Sequence, residues 1–212
     1  MIEVISGMLP GESPLLEEAF RLRHAVFVEE RGWETLRRAD GREIDEFDDV
    51  DTVHHLAVHN AAVVGYHRMR PTTKPHLLAD VHSHLCERSY RRSPSLWEWT
   101  RYCVRQDRRG ESAFGGVGSE ILVAAVEWCL NRGIEDVVLE YHPVWIARFI
   151  GLGFKVRPLG LPTEIDGDPV VAVEMHFDER ALDLSREICG VHRRVLADRF
   201  QHAPVAYAKR GR

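Results

Sequence analysis

Leu15, Ala19, Leu22 and Val26 recur at helical spacing, so one apolar stripe of this segment faces inward. Just upstream stand Ser13, Pro14 and the acidic pair Glu17 and Glu18. They supply a capping hydroxyl, a proline suited to the first helical position, and carboxylates near the positive end of the helix dipole. The next stretch, 29–51, is polar, acid-rich and without periodicity. A structureless run that long inside a compact domain points to a functional or mobile loop. Two β-rich runs, 52–59 and 62–69, flank Asn60-Ala61 and read as a hairpin that Pro71 and Pro75 end. Leu96–Val104 reads as a further strand, dense in aromatic residues. Alternation puts its Glu98, Thr100 and Tyr102 on one face and Trp97, Trp99, Arg101 and Cys103 on the other, unless a bulge intervenes.

Glycines 115–118 lead into an apolar helix over 119–132 that Gly133 closes. A buried strand is expected at 137–141, a short helix at 143–150 closed by Gly151 and Gly153, and a late strand at 170–177. The tail from Asp178 is helix-like and polar, with Arg186, Arg193, Arg194 and Arg199. Neither repeats nor low-complexity segments interrupt the pattern. The order helix, loop, hairpin, strand, helix, strand, helix, strand predicts one mixed α/β domain over 1–212.

Composition narrows the class without choosing a function. At 212 residues and 44% apolar content the chain can bury a sizeable core without a staple. Cys86, Cys103, Cys129 and Cys189 form no CxxC pair, and three sit in apolar runs, as reduced buried thiols would. The first twenty residues lack the basic-then-apolar pattern of a signal peptide, and no 18-residue apolar run occurs. A cytoplasmic protein with no membrane association is the expectation. A net charge of −5, from 28 basic and 33 acidic residues, does not suggest nucleic-acid binding.

Three clusters carry candidate chemistry. Arg23 and Phe27, then Trp33, then Glu43, Asp45, Asp48 and Asp49 suit a ligand bearing both a cation and a carboxylate. Carboxylates meet an ammonium or sulfonium, a guanidinium meets the carboxylate, and an aromatic ring covers the positive centre. The competing reading is a solvated acidic loop. Glu98-Trp99-Thr100-Arg101 places two charges in an apolar strand, costly unless paired with neighbours such as Asp45 or Arg68, or used in chemistry. Gly110 and the run Gly115-Gly116-Val117-Gly118-Ser119 open a helix where N–H groups could hold a pyrophosphate, or simply make a turn. Seven histidines lie between His54 and His84 without an HExxH helix or cysteine partners, so no metal site is expected.

In chain order, these residues resemble one family. Arg23-His24-Ala25-Val26-Phe27, Trp33, Glu43-Ile44-Asp45-Glu46-Phe47-Asp48, Gly65-Tyr66-His67-Arg68 and Glu98-Trp99-Thr100-Arg101 are similar to the motifs of LuxI-type acyl-homoserine lactone synthases. The match is dense over 20–105 and looser beyond; Thr100 replaces the commoner serine and keeps the hydroxyl. Ala147-Arg148-Phe149 and Leu152-Gly153-Phe154 resemble the end of GCN5-related N-acetyltransferase domains. The implied fold is a twisted mixed sheet flanked by helices, whose splayed central strands receive a pantetheine arm. Glu30-Arg31-Gly32-Trp33, Asp40-Gly41-Arg42-Glu43 and Pro71-Thr72-Thr73-Lys74-Pro75 look like the isovaleryl- and aryl-homoserine lactone branch, which takes its acyl group from coenzyme A.

The resemblance implies that the amine of S-adenosylmethionine attacks an acyl thioester. The methionine carboxylate then closes on its own γ-carbon and expels 5′-methylthioadenosine, giving a quorum-sensing autoinducer. Glu98 is implied as base, directly or through water, within a catalytic set of Arg23, Asp45, Asp48, Arg68 and Arg101. S-adenosylmethionine is expected against Arg23, Phe27, Arg31, Trp33, Asp45, Asp48, Thr100 and Arg101. Trp99, Tyr102 and Trp145 are candidates for the acyl pocket. Both small molecules are substrates, no resident cofactor or metal is implied, and acyl carrier protein is the lesser donor. Oligomeric state stays open. The rivals are a GCN5-related N-acyltransferase acting on another amine and a non-catalytic histidine-rich metal- or ligand-binding module.

Overall fold

The computed structural model describes residues 1–8, 13–110 and 115–197. Its strands are β1 (Ile2–Gly7), β2 (Val53–His59), β3 (Ala62–Pro71), β4 (Leu96–Val104), β5 (Asp136–Tyr141), β6 (Lys155–Pro158), β7 (Thr163–Ile165), β8 (Asp168–His176) and β9 (Leu196–Ala197). The helices are α1 (Pro14–Arg23), the single turn α2 (Leu77–Asp80), α3 (Gly116–Leu130), α4 (Trp145–Gly151) and α5 (Glu179–Cys189). One sheet runs in the order β6-β8-β5-β4-β3-β2-β1-β9, and β7 pairs with β8. Neighbours are antiparallel except at β4–β5 and β1–β9, which makes the sheet mixed.

Helix α3 covers one face of the sheet. Its Ile121, Val123 and Trp128 pack on Met69, Trp97 and Trp99 in the largest apolar cluster. Helix α1 and the turn that follows it cover part of the other face, burying Ala19 and Leu22 of the helix and Val26 of the turn against Ile5, Leu56, Tyr66 and Cys103. The apolar stripe read from the sequence is therefore the packed one. Ser13 is the N-cap and Pro14 follows it, but the hydroxyl makes no capping bond. The Ser13 carbonyl accepts instead from the N–H groups of Leu16 and Glu17. Beyond Arg23 the chain passes into a π-helical turn, His24–Glu30, which presents Phe27 inward.

Asn60 and Ala61 turn the β2–β3 hairpin with φ of 49° and 64°, the left-handed pair that matches strand twist. Several elements went unsignalled: β1, β6, β7, β9 and α2 carry no strong pattern of their own. Helix α3 starts at Gly116 rather than 119, and α4 starts at Trp145 rather than 143. In the tail, Asp178 accepts from the Ala181 N–H to start α5, and Gly190, at φ 65°, ends it. A strand follows rather than more helix, and Arg199 lies outside the described residues. The stretch over 29–51 is not structureless, for it contains a 3₁₀ turn, Glu34–Leu36, and is tied down by arginines.

The largest departure from simple alternation lies in β4. Tyr66 pairs with Cys103 and Arg68 with Thr100, so two β4 residues, Arg101 and Tyr102, oppose the single His67. Arg101 sits at this bulge with φ 57°. The bulge turns Arg101 onto the face of Glu98 and Thr100, where it meets Glu43 and Asp45. Tyr102 moves to the opposite, α3 face, near His67 and Gly118. The face assignment expected for these two residues is thus reversed. Past the bulge β4 no longer pairs with β5: the parallel ladder stops at Trp99 and Leu139, and the strands part.

Candidate active site

Three arginines and three carboxylates interlock between α1, the loop after it and β3–β4. Arg23 donates from Nε to Glu43 at 2.5 Å and from its two terminal nitrogens to Asp48 at 2.7 and 2.9 Å. Arg68 donates to Asp45 at 2.5 and 3.0 Å, reaches Asp48 at 3.0 Å, and donates from Nε to the Thr100 hydroxyl at 2.9 Å. Arg101 closes the ring on Glu43 at 3.2 Å and Asp45 at 2.8 Å. Burial alone would raise the Asp45 and Asp48 carboxyls; Arg68 and Arg101 hold the first below its usual value, and Arg23 and Arg68 hold the second well below. Charges this deep persist because each is matched and hydrogen-bonded. Next to the ring, Arg70 grips Asp49 at 2.5 and 2.7 Å, and the Phe47 ring lies 5.9 Å from Arg68 and 5.7 Å from Arg70.

Only part of this ring faces open space. A cavity of about 670 Å³ has Asp45, Thr100 and Arg101 in its wall. Phe27, Arg31 and Trp33 form an aromatic, cationic shelf beside them. The Phe27 and Trp33 rings stack at 5.1 Å, and the Arg31 guanidinium lies 5.6 and 5.5 Å from their centroids. The cavity continues into the gap between β4 and β5, where Trp99, Tyr102 and Trp145 meet Leu139 and Phe149. Nine of the expected residues therefore share one space. Arg23, Asp48 and Arg68, with side chains at 0% exposure, stand behind the wall.

Glu98 also stands behind it, 1% exposed. The arginine weighed as its ion-pair partner, Arg68, is engaged by Asp45 and Asp48 instead, whereas the pairing weighed for Arg101, with Asp45, is formed at 2.8 Å. Its carboxylate accepts from the N–H groups of Leu77 at 3.2 Å and Leu78 at 2.7 Å, in the first turn of α2. Burial pushes its carboxyl up to about 7, against those two bonds. A carboxyl that changes protonation near neutrality is suited to accepting a proton.

The histidines go different ways. His54 bonds the Tyr66 hydroxyl at 2.7 Å, His55 bonds Ser6 at 2.6 Å, and His67 is buried beside Trp99. His82 bonds Glu140 at 2.5 Å, and both line the cavity. Sequence reasoning did not single out Glu140, which lies 58 residues from His82. Phe47, an apolar residue inside an acidic loop and only 3% exposed, is a local sign of that loop's buried side. Gly110, Gly115 and Gly118 line the cavity, while 111–114 lie outside the described residues.

Comparison with known proteins meets this geometry. The family model described as autoinducer synthase matches residues 9–183. The chain belongs to the autoinducer synthase family. It is 43% identical over 178 residues to the isovaleryl-homoserine lactone synthase of Bradyrhizobium diazoefficiens, covering 84% of this chain and 80% of that one. It superposes with TM-score 0.84 and 38% identity on BjaI, a CoA-dependent acyl-homoserine lactone synthase solved with MTA and with SAM and isopentyl-CoA, over 93% of both chains. A putative N-acetyltransferase from Lactobacillus plantarum matches with TM-score 0.56 and 26% identity, over 83% of this chain and 99% of that one. The synthase is thus an acyltransferase whose mixed sheet is of the N-acetyltransferase type.

Proposed function

We propose that this synthase joins a short branched or aryl acyl group from coenzyme A to the amine of S-adenosylmethionine. It then closes the lactone with release of 5′-methylthioadenosine, making a diffusible signal in the cytoplasm. The supporting observation is the two-ended cavity, ionic and aromatic at one end and apolar where β4 and β5 part. S-adenosylmethionine suits the first end, with Phe27 and Trp33 against the sulfonium and adenosine, Asp45 toward the ammonium and Arg101 toward the carboxylate. Arg23, Asp48 and Arg68 fix these groups from behind, and the Thr100 hydroxyl sits beside them.

An α-amine has a reference pKa of about 8, so a modest base is enough to free the nucleophile. Glu98 takes that proton, directly or through a water. Acylation makes the nitrogen neutral, and the carboxylate is then held for attack on the carbon that bears the sulfonium. Every atom of product comes from the two substrates, so the scheme draws on no resident cofactor. Trp99, Tyr102 and Trp145 bound the acyl end, and bulky rings there favour short or flat acyl groups over long chains.

A donor panel tests the reading. Isovaleryl-CoA or an aryl-CoA should give lactone by mass spectrometry at least about tenfold faster than the same acyl group on acyl carrier protein, a difference of roughly 1.4 kcal/mol in the barrier. Preference for the carrier protein, or for long-chain donors, would overturn the donor assignment.

A further inference from the structure

Acylation removes two protons from one nitrogen. The ammonium gives up the first to become a nucleophile. The tetrahedral adduct gives up the second as the amide forms, while the departing thiolate gains one. Glu98 can serve the first transfer, but its oxygens already hold the Leu77 and Leu78 N–H groups.

A second acid–base unit stands on the same face of the sheet. Glu98 pairs in register with Val138, so Glu140, two residues further along β5, is its diagonal neighbour. Glu140 is also the first β5 residue beyond the last β4–β5 pair, Trp99 with Leu139, where the strands open. It bonds His82 Nδ1 through Oε2 at 2.5 Å, and the two side chains are 10% and 23% exposed. The other oxygen, Oε1, is buried and has no hydrogen-bond partner among the described residues. An unmet buried acceptor is costly as pure structure, and in native proteins such a group goes with a functional role or a bound water. His82 comes from the turn just after α2, whose first turn holds Glu98. The charged groups acting on it are Glu140, Glu98 and Arg101, and the His84 ring lies 5.9 Å away. The Glu140 bond raises its affinity for a proton, against the effect of burial.

Building on the acyl-transfer reading above, we propose that His82, backed by Glu140, is the general acid for the leaving thiolate of the acyl donor. The imidazolium gives its proton to sulfur as the C–S bond breaks and its electron pair leaves with sulfur. The neutral ring then takes the second proton from the adduct nitrogen, which restores the imidazolium. Glu140 orients the ring and stabilises its charge, as a positioning residue.

Leaving groups of different basicity test this assignment. The thiolate of coenzyme A benefits from protonation, whereas 4-nitrothiophenolate departs without it. His82→Gln should lower kcat about 100-fold with isovaleryl-CoA and no more than a few-fold with the isovaleryl 4-nitrothiophenyl ester. Glu140→Gln should show the same pattern at about tenfold. In the unaltered protein kcat with isovaleryl-CoA should fall on the alkaline side as His82 loses its proton, and His82→Gln should flatten that limb. Equal losses with both esters, or no loss with either, would overturn the assignment. If the unaltered protein turned over neither ester, the acyl-transfer reading would fail first and this assignment with it.

Discussion

Asp48→Ala is expected to destabilise the protein by about 3–5 kcal/mol, the usual cost of removing one partner from a buried ion pair. The Asp48 side chain is 0% exposed and meets both Arg23 and Arg68 at 3.0 Å or less. Alanine leaves two buried guanidiniums with only Glu43 and Asp45 to balance them. Such a loss is a large fraction of the roughly 5–15 kcal/mol that holds a typical domain together. Asp48 also accepts from the Asp45 N–H at 3.0 Å, so the loop that carries Asp45 into the cavity wall loosens with it. The KM for S-adenosylmethionine should rise at least about tenfold under conditions where the variant stays folded, equivalent to roughly 1.4 kcal/mol of binding. Urea unfolding measures the first effect, and a loss below about 1 kcal/mol would contradict the network.

Acid should weaken the fold well before the carboxylates of that network titrate. Burial holds the imidazoles of His54 and His67 down at about 3, and that of His55 well below its ordinary value. Each is neutral in the folded state, whereas in the unfolded chain it gains a proton near pH 6.5. The unfolded state therefore binds more protons as pH falls, and stability is full above about pH 6.5 and lost below it, at about 1.4 kcal/mol per unit for each ring. At pH 5 the three together cost about 6 kcal/mol on that scale. Glu98 works in the opposite sense. Its folded-state carboxyl, at about 7, binds its proton before the unfolded one does, so it adds stability as pH falls from 7 toward 4.5. At pH 5 that returns about 2.5 kcal/mol, leaving a net loss of about 3.5 kcal/mol relative to pH 7.5. Glu98→Gln removes the offset and should make the fall steeper. A stability that is flat or rising from pH 7.5 to 5 would show that these rings are not held neutral.

Much of the ionic end of the site was legible in the chain because its parts are local or strongly typed. Phe27 and Trp33 are six residues apart and meet across one π-helical turn. Asp45 and Asp48 share a short loop that two arginines, Arg23 and Arg68, hold from α1 and β3. The Asn60-Ala61 turn set the β2–β3 register, and apolar runs placed β4, β5 and β8. The orientation of Arg101 was hidden for a physical reason. A bulge with a positive φ at a non-glycine residue depends on what the neighbouring strands demand, and a two-residue period does not record it. The edge strands β6, β7 and β9 gain their identity from their partners rather than from their own residues. The His82–Glu140 pair is a tertiary contact between a loop and β5, so neither residue carries a local sign of the other.

The central claim is that one turnover joins acyl transfer to lactone closure on a single S-adenosylmethionine. With purified protein, S-adenosylmethionine and isovaleryl-CoA, the decisive measurement is the molar ratio of free coenzyme A thiol, 5′-methylthioadenosine and isovaleryl-homoserine lactone released over the same interval. The account predicts equal amounts of all three. Thiol released without methylthioadenosine would contradict it and mark an ordinary N-acyltransferase.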